Sequence, residues 1–375
     1  MVKKLILEIS EIDSQIDSQI DILLNTNNDL YDLIIKYKNK ITEYYNNKAW
    51  DRFKKLSNEY ENIFTTPNTN NNISKFNPVS RSFFKMWEIL HDFKDEFDFD
   101  NINSIKVAGL GEAPGGFSEA IIKYRSNIVN SDKYYGISLK CNNNKSVPNW
   151  KLYNKFVDKV DINYGADNTG DLYNFQNIIH FVNHVGKHSV DLITADGGFD
   201  FSSDFNHQED MSMQLIFCEV LTALLLQKDN GAFILKIYDI FTPNTIKLIH
   251  LLKKFYKKIN IVKPLTSRPA NSEKYLVCFG FNNPIDSKIY LEKLYKIVIF
   301  KKEIPDELDI EYNANILNNL VAYNTYYTMR QVFYIQRTID YINLYKMSNR
   351  DDKSMNMILE DNKRKSIKWC KKYNI

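Results

Sequence analysis

A chain of 375 residues, 44% of them hydrophobic, is long enough to bury one large α/β core with helical additions, or two domains. Its formal charge of +3 permits a nucleic-acid partner through local patches without itself arguing for one. Cys141, Cys218, Cys278 and Cys370 are far apart and form no C-x-x-C pair, which argues against a thiolate zinc site and suits a reducing compartment. The opening MVKKLILEISEIDSQID acquires acidic residues too soon for a secretory leader, and no apolar run approaches the ~20 residues of a membrane span. A soluble, cytosolic protein with no membrane partner is expected.

Leu5, Ile9, Ile12, Ile16, Ile20 and Leu23 recur at three- and four-residue steps, which predicts helix over residues 1–60. The tetrad IDSQ-IDSQ at 12–19 is too short to mean a solenoid. Residues 65–77, TTPNTNNNISKFN, read as a polar link. A helix follows over Val79–Phe93, with Phe83, Trp87, Leu90 and Phe93 on one face.

From Ser104 strands and helices alternate. Strands are predicted at Ile105–Leu110, Tyr134–Leu139, Val160–Tyr164, Leu192–Asp196, Ala232–Lys236, Asn260–Lys263 and Tyr275–Phe281. Helices are predicted at Ser118–Arg125, Gln176–Val185, Met211–Gln227 and Pro243–Tyr256. This alternation implies an α/β fold with a mostly parallel seven-stranded sheet covered on both faces, its ligands held beyond the carboxyl ends of the strands. From about Pro284 the chain turns helical and rich in Tyr and Lys, ending KRKSIKWCKKYNI. Such a tail suits RNA through phosphate contacts and stacking, or a solvated face on a packed extension. The expected organisation is a helical extension and linker over 1–75, a central domain over 76–283, and a helical basic and aromatic extension over 284–375.

VAGLGEAPGGFSE at 107–119 runs from an apolar strand through a glycine-rich turn into a helix. Gly115 and Gly116 lack Cβ, so they can take strained dihedrals and let a ligand approach, while the helix opening at Phe117 points its first amides into the same space. Neither G-x-G-x-x-G nor a phosphate-binding G-x-x-x-x-G-K-[ST] is present, which favours S-adenosylmethionine over a nucleotide. Three charged residues then fall at ends of buried strands: Asp196 after DLITA, Lys236 after GAFIL and Glu273 before KYLVC. Each costs desolvation energy unless paired or open to a cleft, so three on converging strands read as a site. His180, His184 and His188 share i, i+4, i+8 spacing, but Gly186 weakens that helix and no carboxylate or cysteine completes a metal site; none is expected.

SRSFFKMWEIL, GEAPGGFSE, ADGGFD, NHQEDMSMQL, GAFILKIYDIFTP and TSRPANSEKYLV occur in this order over 78–281. Together they resemble the FtsJ-like ribose 2′-O-methyltransferases, especially the cap-specific mRNA enzymes, including those of large DNA viruses. The resemblance implies a Rossmann-like S-adenosylmethionine-dependent methyltransferase fold and a catalytic tetrad of Lys85, Asp196, Lys236 and Glu273. It assigns Gly111, Glu112, Ala113, Pro114, Gly115, Gly116 and Phe117 to the cofactor loop, with Asp196 beside the methyl donor and Leu139 near the ribose and adenine. Asp171 would accept from the adenine amino group, with Asp167 its competitor. Where the family commonly carries an acid two places before Gly111, this chain has Gly109. Asp204, Glu209 and Asp210 would cap and brace the helix after the fourth strand.

Lys236 would act as base or hydroxyl-orienting group. Lysine ordinarily titrates near about 10.4, so a neutral amine requires burial and the charge of Lys85 to lower it, against the pull of Glu273. The implied reaction methylates the first transcribed nucleotide of capped mRNA. Competing readings are a ribosomal or transfer RNA methyltransferase and an inactive RNA-binding subunit. Capping-enzyme or polymerase partners, and a host-cytoplasmic or virion location for a viral source, follow from the same resemblance.

Overall fold

The computed structural model describes residues 6–9, 20–45, 49–65, 72–126, 131–141, 147–151, 155–198, 204–300, 310–348 and 353–375. In chain order the elements are β1 (Ile6–Ile9), α1 (Ile20–Tyr45), α2 (Ala49–Leu56), α3 (Ser82–Asp92), α4 (Lys94–Phe97), β2 (Lys106–Leu110), α5 (Gly116–Arg125), β3 (Lys133–Ile137) and β4 (Val160–Asn163). There follow α6 (Phe175–Val185), β5 (Val190–Ala195), α7 (Gln208–Leu226), β6 (Gln227–Ile237), α8 (Pro243–Phe255), β7 (Tyr256–Val262), β8 (Lys274–Phe281), α9 (Ser287–Phe300), α10 (Ala314–Met347) and α11 (Lys353–Lys372).

Among the described residues the strands form one eight-stranded sheet in the order β1-β7-β8-β6-β5-β2-β3-β4. β2 to β6 pair in parallel, whereas β8 runs antiparallel between β6 and β7. The chain winds from β2 towards β4 on one side and from β5 towards β7 on the other, so strand order reverses at β2 and β5. That reversal opens the crevice at their carboxyl ends where Rossmann-like folds hold ligands.

Alternate residues of each strand enter opposite cores. Ala108, Leu110, Ile193, Phe233 and Leu235 face α6, α7, α8 and α9. Val107, Leu192, Ile234 and Val277 face α3, α5 and the end of α11. α7 is buried almost all round, from Met213 to Leu226, because helices cover its outer side as the sheet covers its inner side. Each such apolar side chain stabilises the fold by roughly 1.5–3 kcal/mol. A third core joins α1, α2 and α10 through Ile34, Ile41, Trp50, Phe53 and Ile339, and Phe241 from the turn after β6 enters it.

The N-terminal expectation needs correction. Ile6–Ile9 is a strand paired antiparallel with Ile259–Val262, not the start of a helix. A four-residue apolar spacing fits the two-residue period of a strand as well as a helix, and the open edge of β7 decides between them. Leu5, Ile12, Ile16 and the IDSQ repeat lie outside the described residues, while Ile20 and Leu23 open α1. The basic tail has its aromatics packed: Trp369 and Tyr373 are buried, and Trp87 Nε1 donates to Tyr373 O at 2.9 Å. No helix among the described residues is long and apolar enough to cross a membrane.

Candidate active site

A cavity of about 480 Å³ opens at the carboxyl ends of β2, β3, β5 and β6. Gly111, Ala113, Leu139, Asp171, Asp196, Lys236 and Glu273, all expected from the sequence, line it. Gly111 takes φ +66, and a Cβ there would stand 2.8 Å from Gly197 Cα. The loops after β2 and β5 therefore touch backbone to backbone. Asp171 lines the cavity and accepts from Tyr173 N, whereas Asp167 is occupied by Thr169 and by Asn174 Nδ2 at 2.7 Å. Those bonds hold the Asp167 carboxyl well below its ordinary range. Of the two candidate adenine contacts, Asp171 is the one placed at the cavity.

The rest of the loop is packed against protein neighbours. Glu112, Pro114, Gly115, Gly116 and Phe117 do not line the cavity. A Cβ on Gly115 would meet the Trp150 ring at 3.0 Å, and one on Gly116 would meet Ser82 Oγ at 2.2 Å. The two glycines let these side chains approach the loop backbone closely. Phe117 is buried, its ring 5.6 Å from that of Tyr275. Glu112 turns inward beneath Gly109: a Cβ on Gly109 would lie 2.7 Å from the Glu112 carboxyl carbon. That carboxyl accepts from Ser118 N and Oγ and from Thr194 Oγ1, and burial pushes it up to about 7. The Glu112 carboxyl thus fills the space beside Gly109 without lining the cavity.

Four separated residues converge at one side of the cavity. Lys236, near the end of β6, places Nζ 2.7 Å from Asp196 O and 3.2 Å from Asp196 Oδ1. Lys85, on α3, places Nζ 2.8 Å from Glu273 Oε2. α3 is fixed there because buried Glu88 accepts from Leu265 N and Thr266 N, while Arg81 donates to Phe64 O and Thr266 O. Ser267 Oγ donates to the other Glu273 oxygen at 2.8 Å. Tyr275, at the start of β8, donates to Asp196 Oδ1 at 3.0 Å.

The electrostatics reverse one expectation. Burial alone pushes Lys236 down, but Asp196, Tyr238, Glu273 and Glu219 together hold it above the ordinary lysine value. Lys85, expected to lower it further, is ion-paired with Glu273. Burial would raise Glu273, yet Lys85, Lys236 and Lys263 hold it down at about 2. The site at rest is a tight network of ammonium groups and carboxylates. It can orient a hydroxyl between Lys236 and Glu273 and attract a cation to Asp196.

Reading the sequence missed several contributors. Tyr238 and Leu215 line the cavity, and Ser138 Oγ accepts from Ala113 N at 3.1 Å. Glu219, on α7, is fully buried, with burial pushing it up to about 8 against Lys236. An acid inside an otherwise apolar helix, CEVLTALLL, was the available signal for it. The three histidines diverge: His180 meets Asn163, His184 meets Asp161, and His188 lies beyond the end of α6 against Gln227 O. Among the described residues no three or more His, Cys, Asp or Glu side chains form a potential metal site. Glu209 accepts from Phe241 N at 3.0 Å and Thr242 N at 2.9 Å, bracing the turn after β6, while Asp204 accepts from Asn206 N.

Sheet order, cavity and charged strand ends define a Rossmann-like methyltransferase-type domain. The chain belongs to the FtsJ-like methyltransferase family, which matches residues 78–281, more than half of its length. Three proteins named cap-specific mRNA (nucleoside-2′-O-)-methyltransferase 1 are similar to it. That of Drosophila melanogaster is 37% identical over 168 residues, covering 44% of this chain and 21% of the relative. That of Caenorhabditis elegans is 28% identical over 310 residues, covering 78% and 32%. That of Trypanosoma cruzi is 34% identical over 197 residues, covering 52% and 53%. The chain thus spans about a fifth to a half of these relatives, all eukaryotic.

Proposed function

We propose that this chain is an S-adenosylmethionine-dependent ribose 2′-O-methyltransferase acting on the first transcribed nucleotide of capped mRNA. The observation that carries the chemistry is the meeting of Lys85, Asp196, Lys236 and Glu273 beside the β2–β5 crevice. The cavity falls within the roughly 300–1,000 Å³ of small-molecule sites. Its apolar Leu139 and Leu215, the acceptor Asp171 and the acid Asp196 suit an adenosine joined to a cationic amino acid. When bound, S-adenosylmethionine supplies the electrophilic methyl group.

Lys236 and Glu273 orient the 2′-hydroxyl, Lys85 fixes Glu273, and Tyr275 and Lys236 fix Asp196. Alignment contributes more than proton transfer here, because the resting Lys236 is held as an ammonium. A cation bound beside Asp196 would lower the Lys236 pKa, since like charges disfavour the ammonium; only after Lys236 has released its own proton to solvent can its neutral amine accept the proton of the hydroxyl.

The cap reading draws on the names of the relatives and on a second cavity. About 120 Å³ in size, that cavity lies between α1, α2 and the 268–271 loop, where Trp50 and Phe205 offer rings, Lys38 enters from α1, and Lys54 and Arg268 are paired with Asp51 and Glu61. Ring stacking and cationic neighbours are what a purine bearing phosphates requires. Asn271 lines the second cavity and Glu273, two residues on, lines the first. The test is methyl transfer from labelled cofactor to matched RNAs that are uncapped, guanine-capped or methylguanine-capped, followed by mapping of the labelled nucleotide. Label on the first transcribed nucleotide of capped RNA alone is expected. Cap-independent label would move the assignment to ribosomal or transfer RNA, and no label on any RNA to a binding subunit.

A further inference from the structure

We propose that α1 and α10, outside the 78–281 segment, position the two loops that carry Lys236 and Glu273, with Lys38 and Asn324 as the positioning residues; this rests on the methyltransferase reading above. The first loop, residues 238–241, follows the end of β6, one residue beyond Lys236. The second, residues 270–273, ends at Glu273 and leads into β8.

One buried acid ties the loops together. Asp239 Oδ2 accepts from Lys38 Nζ of α1 at 2.6 Å, and its Oδ1 accepts from Lys274 Nζ at 3.2 Å. Lys274 also donates to Tyr238 O at 3.0 Å and to Ser272 O at 2.9 Å, one backbone bond to each loop. All three charged side chains are buried. Burial would raise the Asp239 carboxyl, but Lys38 and Lys274 hold it below its ordinary value. Lys38 supplies a second cation where Lys274 alone would leave a neutral pair.

Amide side chains make the same attachment by a separate route. Asn324 Nδ2 of α10 donates to Ile240 O at 2.7 Å and to Asn27 Oδ1 of α1 at 2.7 Å. Asn27 Nδ2 in turn donates to Phe241 O at 3.1 Å. On the second loop, Gln331 Nε2 of α10 donates to Ala270 O at 3.3 Å. Buried donors from both terminal helices thus satisfy loop carbonyls that would otherwise be orphaned. A relative shift of the loops would alter the separation of Lys236 and Glu273.

The test compares wild type, Lys38→Met, Lys38→Arg and Asn324→Ala in the full chain. Lys38→Met leaves Asp239 paired with Lys274, and Asn324→Ala carries the test should Lys38→Met fail to fold. Turnover on capped RNA is expected to fall about tenfold to 100-fold in Lys38→Met and Asn324→Ala, as for an active-site misplacement of about 1 Å. The affinity for S-adenosylhomocysteine stays near wild type in both variants, and Lys38→Arg recovers most of the turnover; RNA KM is read on Asn324→Ala, where it stays near wild type, because Lys38 itself lines the second cavity and Asn324 does not. Hydrogen exchange, which needs no substrate, is expected to quicken about tenfold or more at 237–242 and 269–274 in both variants while α6 is unchanged. Wild-type turnover, unchanged loop exchange, or a raised RNA KM with intact turnover would overturn the proposal; the last would make Lys38 a substrate contact. A wild-type chain that labels no RNA counts against the methyltransferase reading alone, and loop exchange then still decides this one.

Discussion

Lys85 Nζ lies 2.8 Å from Glu273 Oε2, so α3 is charge-coupled to the residue just before β8, 188 positions away. Lys85 is the largest favourable influence keeping Glu273 at about 2. A depressed carboxyl contributes stability above its unfolded value near 4.5 and loses it as pH falls towards 2. Lys85→Met should therefore move acid unfolding to higher pH, followed by circular dichroism between pH 2 and 6. Methyl transfer should fall about 100-fold in the same variant, because Glu273 loses its anchor. An unchanged acid transition would mean that Lys236 and Lys263 suffice to hold the acid.

Lys236→Ala should lower methyl transfer by about 100-fold to 10,000-fold with cofactor affinity near wild type, since the cavity keeps its other walls. Full activity would sink the assignment. The titration of Lys236 has its own test. Its raised value comes from carboxylates, Asp196 foremost, overcoming burial. Side-chain nitrogen NMR without cofactor should find the ammonium intact at pH 9. Asp196→Asn should bring the titration down, because it removes the leading upward influence.

The order of strands and helices from Ser104 to Phe281 was legible because most strands hold a short apolar run, α5, α6 and α8 keep an amphipathic pattern, and α7 is a long apolar run. Convergence of Asp196, Lys236 and Glu273 followed from one rule, that charges at ends of buried strands need partners. Lys85 needed the family register, since a lysine on an amphipathic helix carries no such signal. What stayed hidden depends on tertiary neighbours. Ile6–Ile9 became a strand because the β7 edge was open to it. The glycines at 115 and 116 looked open to a ligand because sequence cannot show that Trp150 and Ser82 fill the space beside them. The sign of the Lys236 shift depends on distances that sequence does not show: Asp196 leads the upward pull, and Tyr238 and Glu219, from the turn after β6 and from α7, add to it.

Gly109 and Glu112 form a coupled pair, since any Cβ at 109 would overlap the Glu112 carboxyl. Gly109→Ala should cost about 1–3 kcal/mol, the usual range for overpacking a core. Adding Glu112→Ala should recover much of that loss, and Gly109→Asp should be tolerated only beside Glu112→Ala. A double-mutant cycle by chemical denaturation measures the coupling. Additive losses at the two positions would show that the overlap is relieved elsewhere.

Glu219 should make the protein weaker in alkali. Its carboxyl is buried, with Oε1 lacking a hydrogen-bond partner, and stands where a Cβ on Gly197 would reach it at 2.4 Å. Burial raises it from 4.5 to about 8, with Asp196 and Glu112 adding to the rise and Lys236 opposing it. An acid whose folded value exceeds its unfolded value favours folding fully below the unfolded value. That advantage is lost as pH climbs through the folded value. Glu112, raised to about 7, acts in the same direction. Wild-type stability should thus decline between about pH 5 and 8, by roughly 3–5 kcal/mol for Glu219 alone. Glu219→Gln keeps the shape and removes the ionisation, so its melting temperature should match wild type near pH 5 and exceed it by several degrees at pH 9. Thermal unfolding at half-unit pH steps reads the difference. Parallel curves for the two proteins across that range would show that Glu219 is ionised throughout, with Lys236 outweighing its burial.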